Sequence, residues 1–218
     1  MTEAPPAAPT APAEPVMGTS RLEAFSDGII AIAATLLVIE LAAPEPGADV
    51  WEHLHHELPS IAAYAVSFVT ILIYWVNHHA LLADVATVDR ALLFLNGFLL
   101  LCISSISFPT AVLGRALQAG GRPAIEAAVF YTAVLTLAAV SFLALWVYLG
   151  RHPHLLHPHA RGITLAASRR GAFGACCYAV SVGVAFLNGT AALVVVALLA
   201  LFFALPPRRR RTTPRPTD

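Results

Sequence analysis

Six apolar runs, at about 22–42, 59–78, 91–113, 124–149, 166–187 and 190–205, constrain this chain more than any other feature. A helix needs about 20 apolar residues to cross the hydrocarbon of a bilayer, and five of the runs reach that length while the last lies near the lower limit. With 58% of its residues hydrophobic and 12% charged, the chain departs far from a soluble domain. The expected fold is therefore an all-α membrane protein with six transmembrane helices. Breakers mark the turns: Pro44 and Pro46 end the first run and Pro59 opens the second. Gly120, Gly121 and Pro123 separate the third and fourth, Pro153 and Pro158 interrupt the next connection, and Asn188–Gly189 make the last turn. Short connections predict sequential helices packed antiparallel in one bundle. The longest, about 150–165, has no room for a soluble domain, and the halves show no internal repeat of the kind many carriers have.

The flanks read differently. Residues 1–18 are rich in Pro and Ala and lack the basic start and apolar core of a signal peptide, so they read as a disordered tail. The six-helix transmembrane part is expected over 19–205. Residues 206–218, with Arg208 to Arg211, read as a basic tail held beside anionic lipid rather than a nucleic-acid contact. Every basic residue is Arg. With six spans and the N-terminus inside, eleven of the thirteen fall on the inner side and only Arg115 and Arg122 outside. The positive-inside rule then puts both termini in the cytoplasm.

The first run carries the chemistry. Advancing about 100° per residue along a helix brings Arg21, Phe25, Gly28, Ile32, Thr35, Leu36 and Ile39 into one stripe, flanked by the small residues Ala24, Ala31 and Ala33. Small neighbours allow close helix approach. The stripe fits either the wall of a narrow, mostly apolar pore or a buried core helix whose Thr bonds its own backbone. Asp27 lies off the stripe, inside the polar edge of the span, where an unpartnered carboxylate costs several kcal/mol. Its i−4 neighbour is Glu23, a like charge, so its partner is expected on another helix, from among His78, His79, Arg90 and Asn96. These residues predict a polar cluster joining three helices at the inner mouth.

Other chemistries find less support. A proton-coupled or other secondary transporter is the alternative, with Asp27, His78 and His79 as relay groups. The loop histidines, His53, His55 and His56 and then His152, His154, His157 and His159, have spacings unsuited to one tetrahedral site and no thiolate among them, so no metal site is assigned. Cys102, Cys176 and Cys177 read as small buried residues. No catalytic residue is assigned: the chain shows no nucleophile–base pair, phosphate loop or complete metal motif, and an enzyme is not expected.

At these residues the chain resembles the endolysosomal potassium channels, of the transmembrane protein 175 type, and their bacterial six-helix members. The motif is present as Arg21, Phe25, Ser26, Asp27 and Gly28. A second block has Trp75, Asn77, His78 and His79, then Asp89, Arg90 and Asn96, with Pro109 beyond. The resemblance implies a homotetramer with a central pore lined by the first helix and no Thr-Val-Gly-Tyr-Gly filter. It implies an apolar constriction at Ile32, Leu36 and Ile39, with selectivity at Thr35. The motif residues Arg21, Phe25, Ser26, Asp27, Gly28, Trp75, Asn77, His78, His79, Arg90 and Asn96 are implied as an inter-helix network. The expected function is a potassium-selective, voltage-insensitive passive channel with a hydrophobic gate. It would need no cofactor, with potassium as the permeant ion, and would sit among lipid in a bacterial plasma membrane.

Overall fold

Seven α-helices build the protein in the computed structural model, which describes residues 18–204. They are α1 (Thr19–Leu36), α2 (Val50–Ala83), α3 (Arg90–Ser104), α4 (Ser107–Ala119), α5 (Gly121–Arg151), α6 (Thr164–Ala185) and α7 (Gly189–Ala204). Strands are absent among the described residues apart from one isolated bridge, Val85 to Leu156. Most of both expected tails, 1–17 and 206–218, lies outside the described residues, as does Leu205.

Four helical stretches are long and apolar enough to cross a membrane: Thr19–Glu40, Val50–Ala83, Arg90–Ala119 and Gly121–Arg151. α6 carries Arg169 and Arg170 in its second turn, and α7 is apolar but only 16 residues long. The protein is thus an all-helical integral membrane protein, in which these two helices match the fifth and sixth apolar runs.

Three boundaries differ from the expectation, each for a local reason. Pro59 does not open the second helix. Asp49 starts it ten residues earlier, its carboxylate accepting the N–H groups of Trp51 (2.8 Å) and Glu52 (3.1 Å). Pro59 then lies inside α2. The third run is not one helix: it breaks at Ser105–Ile106, just before Pro109, which has no N–H to return to the carbonyl of Ser105. Beyond the break α4 continues to Ala119, where Gly120 and Gly121 turn the chain at φ 68° and 61°, conformations that an L side chain resists. Of the three thiols, Cys102 is buried, but Cys176 is exposed and Cys177 only partly covered. Elsewhere the punctuation acts as expected: Asn188 caps α7 through the Ala191 N–H at 2.9 Å.

α5 is the central post, packed against α3, α4, α6 and α7, whereas α1 lies to one side against α2 and α3. Its buried residues recur every three or four positions, including Ala124, Ala128, Tyr131, Leu135, Ala138, Leu145 and Leu149. The many alanines let neighbours approach closely. Hydroxyls on this helix bond back to its own carbonyls, as Thr132 does to Ala128 and Thr136 to Thr132, both at 2.7 Å. A further buried cluster spans three helices: the Ser67 hydroxyl lies 2.8 Å from that of Thr110 and 2.9 Å from that of Tyr131.

At the other end, the connection after α5 docks on the α2–α3 turn. The N–H groups of Ala86 and Thr87 reach the Leu155 carbonyl, and that of His157 reaches the Asp84 carbonyl. Asp89 ties the assembly together: it caps α3 through the Leu92 N–H and accepts from the Tyr148 hydroxyl. Burial works against ionisation of Asp89. The two hydrogen bonds and nearby His152 and His154 outweigh it, so the carboxyl sits below its ordinary 3.8. A lowered acid stabilises the fold wherever it is ionised, and that contribution fades as pH falls through its folded pKa. Asp89→Asn should therefore lower the melting temperature at pH 7, and the gap from wild type should close in titrations taken below about pH 4.

Candidate functional site

Two faces of α1 have opposite fates. Leu22, Ser26, Ile30, Ala33 and Leu37 are buried against α2 and α3. The opposite face, holding the whole predicted stripe, is uncovered: Phe25 is 61% exposed, Ile32 59%, Leu36 45% and Ile39 72%, with Arg21, Gly28 and Thr35 exposed beside them. The stripe is therefore not the core of a protomer. The Thr35 hydroxyl donates to the Ile32 carbonyl at 2.9 Å, which leaves its oxygen lone pairs free on the exposed side. Beyond Leu36 the helix tightens into a 3-10 turn, Leu37–Glu40, so Ile39 leaves the α-helical register. Glu40 closes that end with an ion pair to Arg115 at 3.3 Å.

Behind the stripe, three buried polar side chains from three helices form one chain. Ser26 of α1 donates to its own Leu22 carbonyl (2.8 Å) and accepts from the amide of Asn96 on α3 (3.0 Å). The Asn96 oxygen lies 2.7 Å from Nε2 of His78 on α2. All three are 0–1% exposed. Since Asn96 presents its oxygen, His78 must donate from Nε2, leaving Nδ1 as an acceptor without a partner among the described residues. The network fixes the back of α1, and hence the direction in which its front points.

Asp27 finds its partner on another helix, but not among the four candidates. Its carboxylate accepts from the indole N–H of Trp75 at 3.0 Å. His79 instead meets Glu23, with 2.9 Å between Nδ1 and the carboxylate, and its ring stacks on that of Trp75. The signal was present in the spacing. Glu23 and Asp27 are one turn apart on α1, Trp75 and His79 one turn apart on α2, and antiparallel helices pair them in crossed order.

The remaining motif residues do not join this cluster within a protomer. The Asn77 amide donates back to the Ile73 carbonyl at 2.7 Å, and Arg90 lies over the Phe94 ring at 5.7 Å. The Ser67–Thr110–Tyr131 cluster, which the sequence reading missed, has no spacing signal because its members lie on three separate helices. Among the described residues no group of three or more His, Cys, Asp or Glu is placed to hold a metal ion.

Known proteins resemble this chain in sequence and in fold. The family model described as endosomal/lysosomal potassium channel TMEM175 matches residues 21–106, which hold most of α1, all of α2 and α3, and both polar pairings. A potassium channel of Streptomyces collinus is 42% identical over 179 residues, covering 80% of this chain and 86% of that protein. The Danio rerio endosomal/lysosomal proton channel TMEM175 is 32% identical over 161 residues, covering 69% of this chain and 31% of that protein. Among solved structures, the crystal structure of a lysosomal potassium-selective channel TMEM175 homolog from Chamaesiphon minutus superposes with a TM-score of 0.76 at 34% identity, covering 85% of this chain and 96% of that one. The extent of these matches, taken with the motif-bearing helices and the polar network behind α1, makes this chain a member of the TMEM175 family of potassium channels.

Proposed function

We propose that this chain is the subunit of a passive, voltage-insensitive potassium channel in a bacterial plasma membrane, four copies of which place α1 around a shared axis. The carrying observation is the exposed stripe of α1. An apolar, Thr-bearing face left uncovered by six other helices supplies the wall that a pore between copies needs. Closed symmetry turns each stripe position into a ring. Rings of Ile32, Leu36 and Ile39 form an apolar constriction that excludes water, so a small outward shift or rotation of α1 serves as the gate. Thr35 lies between them. Its hydroxyl hydrogen is turned back to the helix, and four such oxygens replace part of a cation's hydration shell.

The positive-inside rule favours six spans with both termini cytoplasmic, α6 and α7 as the last two. Among the described residues no span carries the ladder of Arg residues that a voltage sensor uses. Potassium and the surrounding lipid are the partners this reading requires, with no cofactor.

Reconstitution into potassium-loaded vesicles tests it. A channel carries flux down the potassium gradient alone, without saturating at millimolar concentrations and without a second ion. Saturating flux that stops when a co-ion is withdrawn would instead establish the coupled carrier, with His78 and Asp27 as its relay groups.

A further inference from the structure

A cavity lies on the far side of α2 from α1, between α2, α5, α6 and α7, with a volume of about 440 Å³. That size lies within the roughly 300–1,000 Å³ of pockets that take small molecules. Small residues of α6, Ala166, Ala167, Gly171 and Gly174, line one side of it. Its long walls are apolar, formed by Ile73, Phe142, Trp146 and Phe203 among others.

Only one end is charged, and it carries both signs. Arg170 and Asp84 stand at that mouth with Asn77 between the helices. Arg170 lies over the Phe203 ring at 5.9 Å and has no carboxylate within ion-pair distance among the described residues. Asp84 has only a loose contact with His159, at 3.5 Å, and its side chain is 18% exposed. The Asn77 amide is spent on the Ile73 carbonyl, which leaves its oxygen as an acceptor. The mouth sits where α2 ends and α6 begins, and so at one face of the membrane.

We propose that this crevice is a phospholipid site. One acyl chain lies between α2, α5, α6 and α7, the phosphate sits on Arg170, and the primary ammonium of an ethanolamine head group sits on Asp84. An open apolar crevice in a bilayer gains dispersion contacts from a hydrocarbon chain that nothing among the described residues provides. Guanidinium suits phosphate geometry through paired N–H donors. The separate carboxylate selects the head group. Choline has no N–H to donate, and a glycerol head group brings no cation to Asp84. The inference stands apart from the potassium reading, since neither the pore stripe nor the Ser26–Asn96–His78 chain touches the cavity.

Trp146 in the wall supplies the readout. The full chain is reconstituted in phosphatidylcholine vesicles doped, in separate series, with phosphatidylethanolamine, phosphatidylglycerol or phosphatidylcholine bearing brominated acyl chains. Tryptophan quenching should contain a saturable component with brominated phosphatidylethanolamine, and the other two should need roughly tenfold more lipid, about 1.4 kcal/mol. Arg170→Gln, at the partly exposed mouth, and Ala167→Phe, in the wall, are independent routes to loss of that component. Asp84→Asn should erase the preference over choline, and Arg122→Ala, on the opposite surface, should change nothing. Quenching that rises linearly and equally for all three lipids, or a saturable component that survives both Arg170→Gln and Ala167→Phe, overturns the site.

Discussion

Ile32→Asn should raise potassium flux through reconstituted channels by at least about tenfold, equivalent to roughly 1.4 kcal/mol off the permeation barrier, and should lower the preference for potassium over sodium. Hydration sets the barrier. A ring of apolar side chains raises the cost of a water-filled passage, because methyl groups return none of the hydrogen bonds that water or a hydrated ion gives up. Asn supplies donors and acceptors in a smaller volume and stabilises the wet state. Ile32 is 59% exposed on the face of α1 away from the core, so the change disturbs no packing within the protomer. A loss of function through misfolding is therefore not expected. The check is ion flux from vesicles under potassium and then sodium gradients, and values matching wild type in both would remove Ile32 from the constriction.

The largest effect on stability is expected at Asn96→Leu. The amide donates to Ser26 and accepts from His78 at 3.0 and 2.7 Å, and all three groups are sealed from solvent. Leucine removes both bonds at once and leaves the His78 Nε2–H buried beside an Nδ1 that already lacks a partner. An unmade buried hydrogen bond costs about 1–3 kcal/mol, although polar bonds between membrane helices run nearer the low end. A loss of about 2–3 kcal/mol is the expected outcome, read as a lower melting temperature of the purified assembly by fluorescence-detected size exclusion. Because the network sets the back of α1, selectivity should also loosen in whatever protein survives. Pairing Asn96→Leu with His78→Phe should cost less than the two single changes summed, since the double variant strands no donor. Strict additivity would mean that the two side chains do not act together.

Much of this architecture was legible in the chain. The six apolar runs marked the helices because hydrocarbon demands long, uninterrupted stretches, and Gly120–Gly121 and Asn188 acted at the turns where they stand. The misplaced boundaries came from chemistry that periodicity does not carry. Asp49 caps a helix that hydropathy alone would start later, and Pro109 breaks a run that hydropathy reads as continuous. At the site, the wheel of α1 separated the stripe from its opposite face, because a single helix has one geometry whatever it packs against.

What the sequence determined by itself is local and periodic: which segments are helical, and which residues of α1 share a face. Which face turns inward, and what meets what across helices, was decided by packing. Asp27 chose Trp75 over the nearby histidines, Glu23 took His79, and Asn77 turned away toward the crevice beside α6. Such choices depend on the relative rotation and axial offset of two helices. A one-residue change in either moves a side chain by about 100° around its axis, so they emerge only when every helix is fitted against all its neighbours at once.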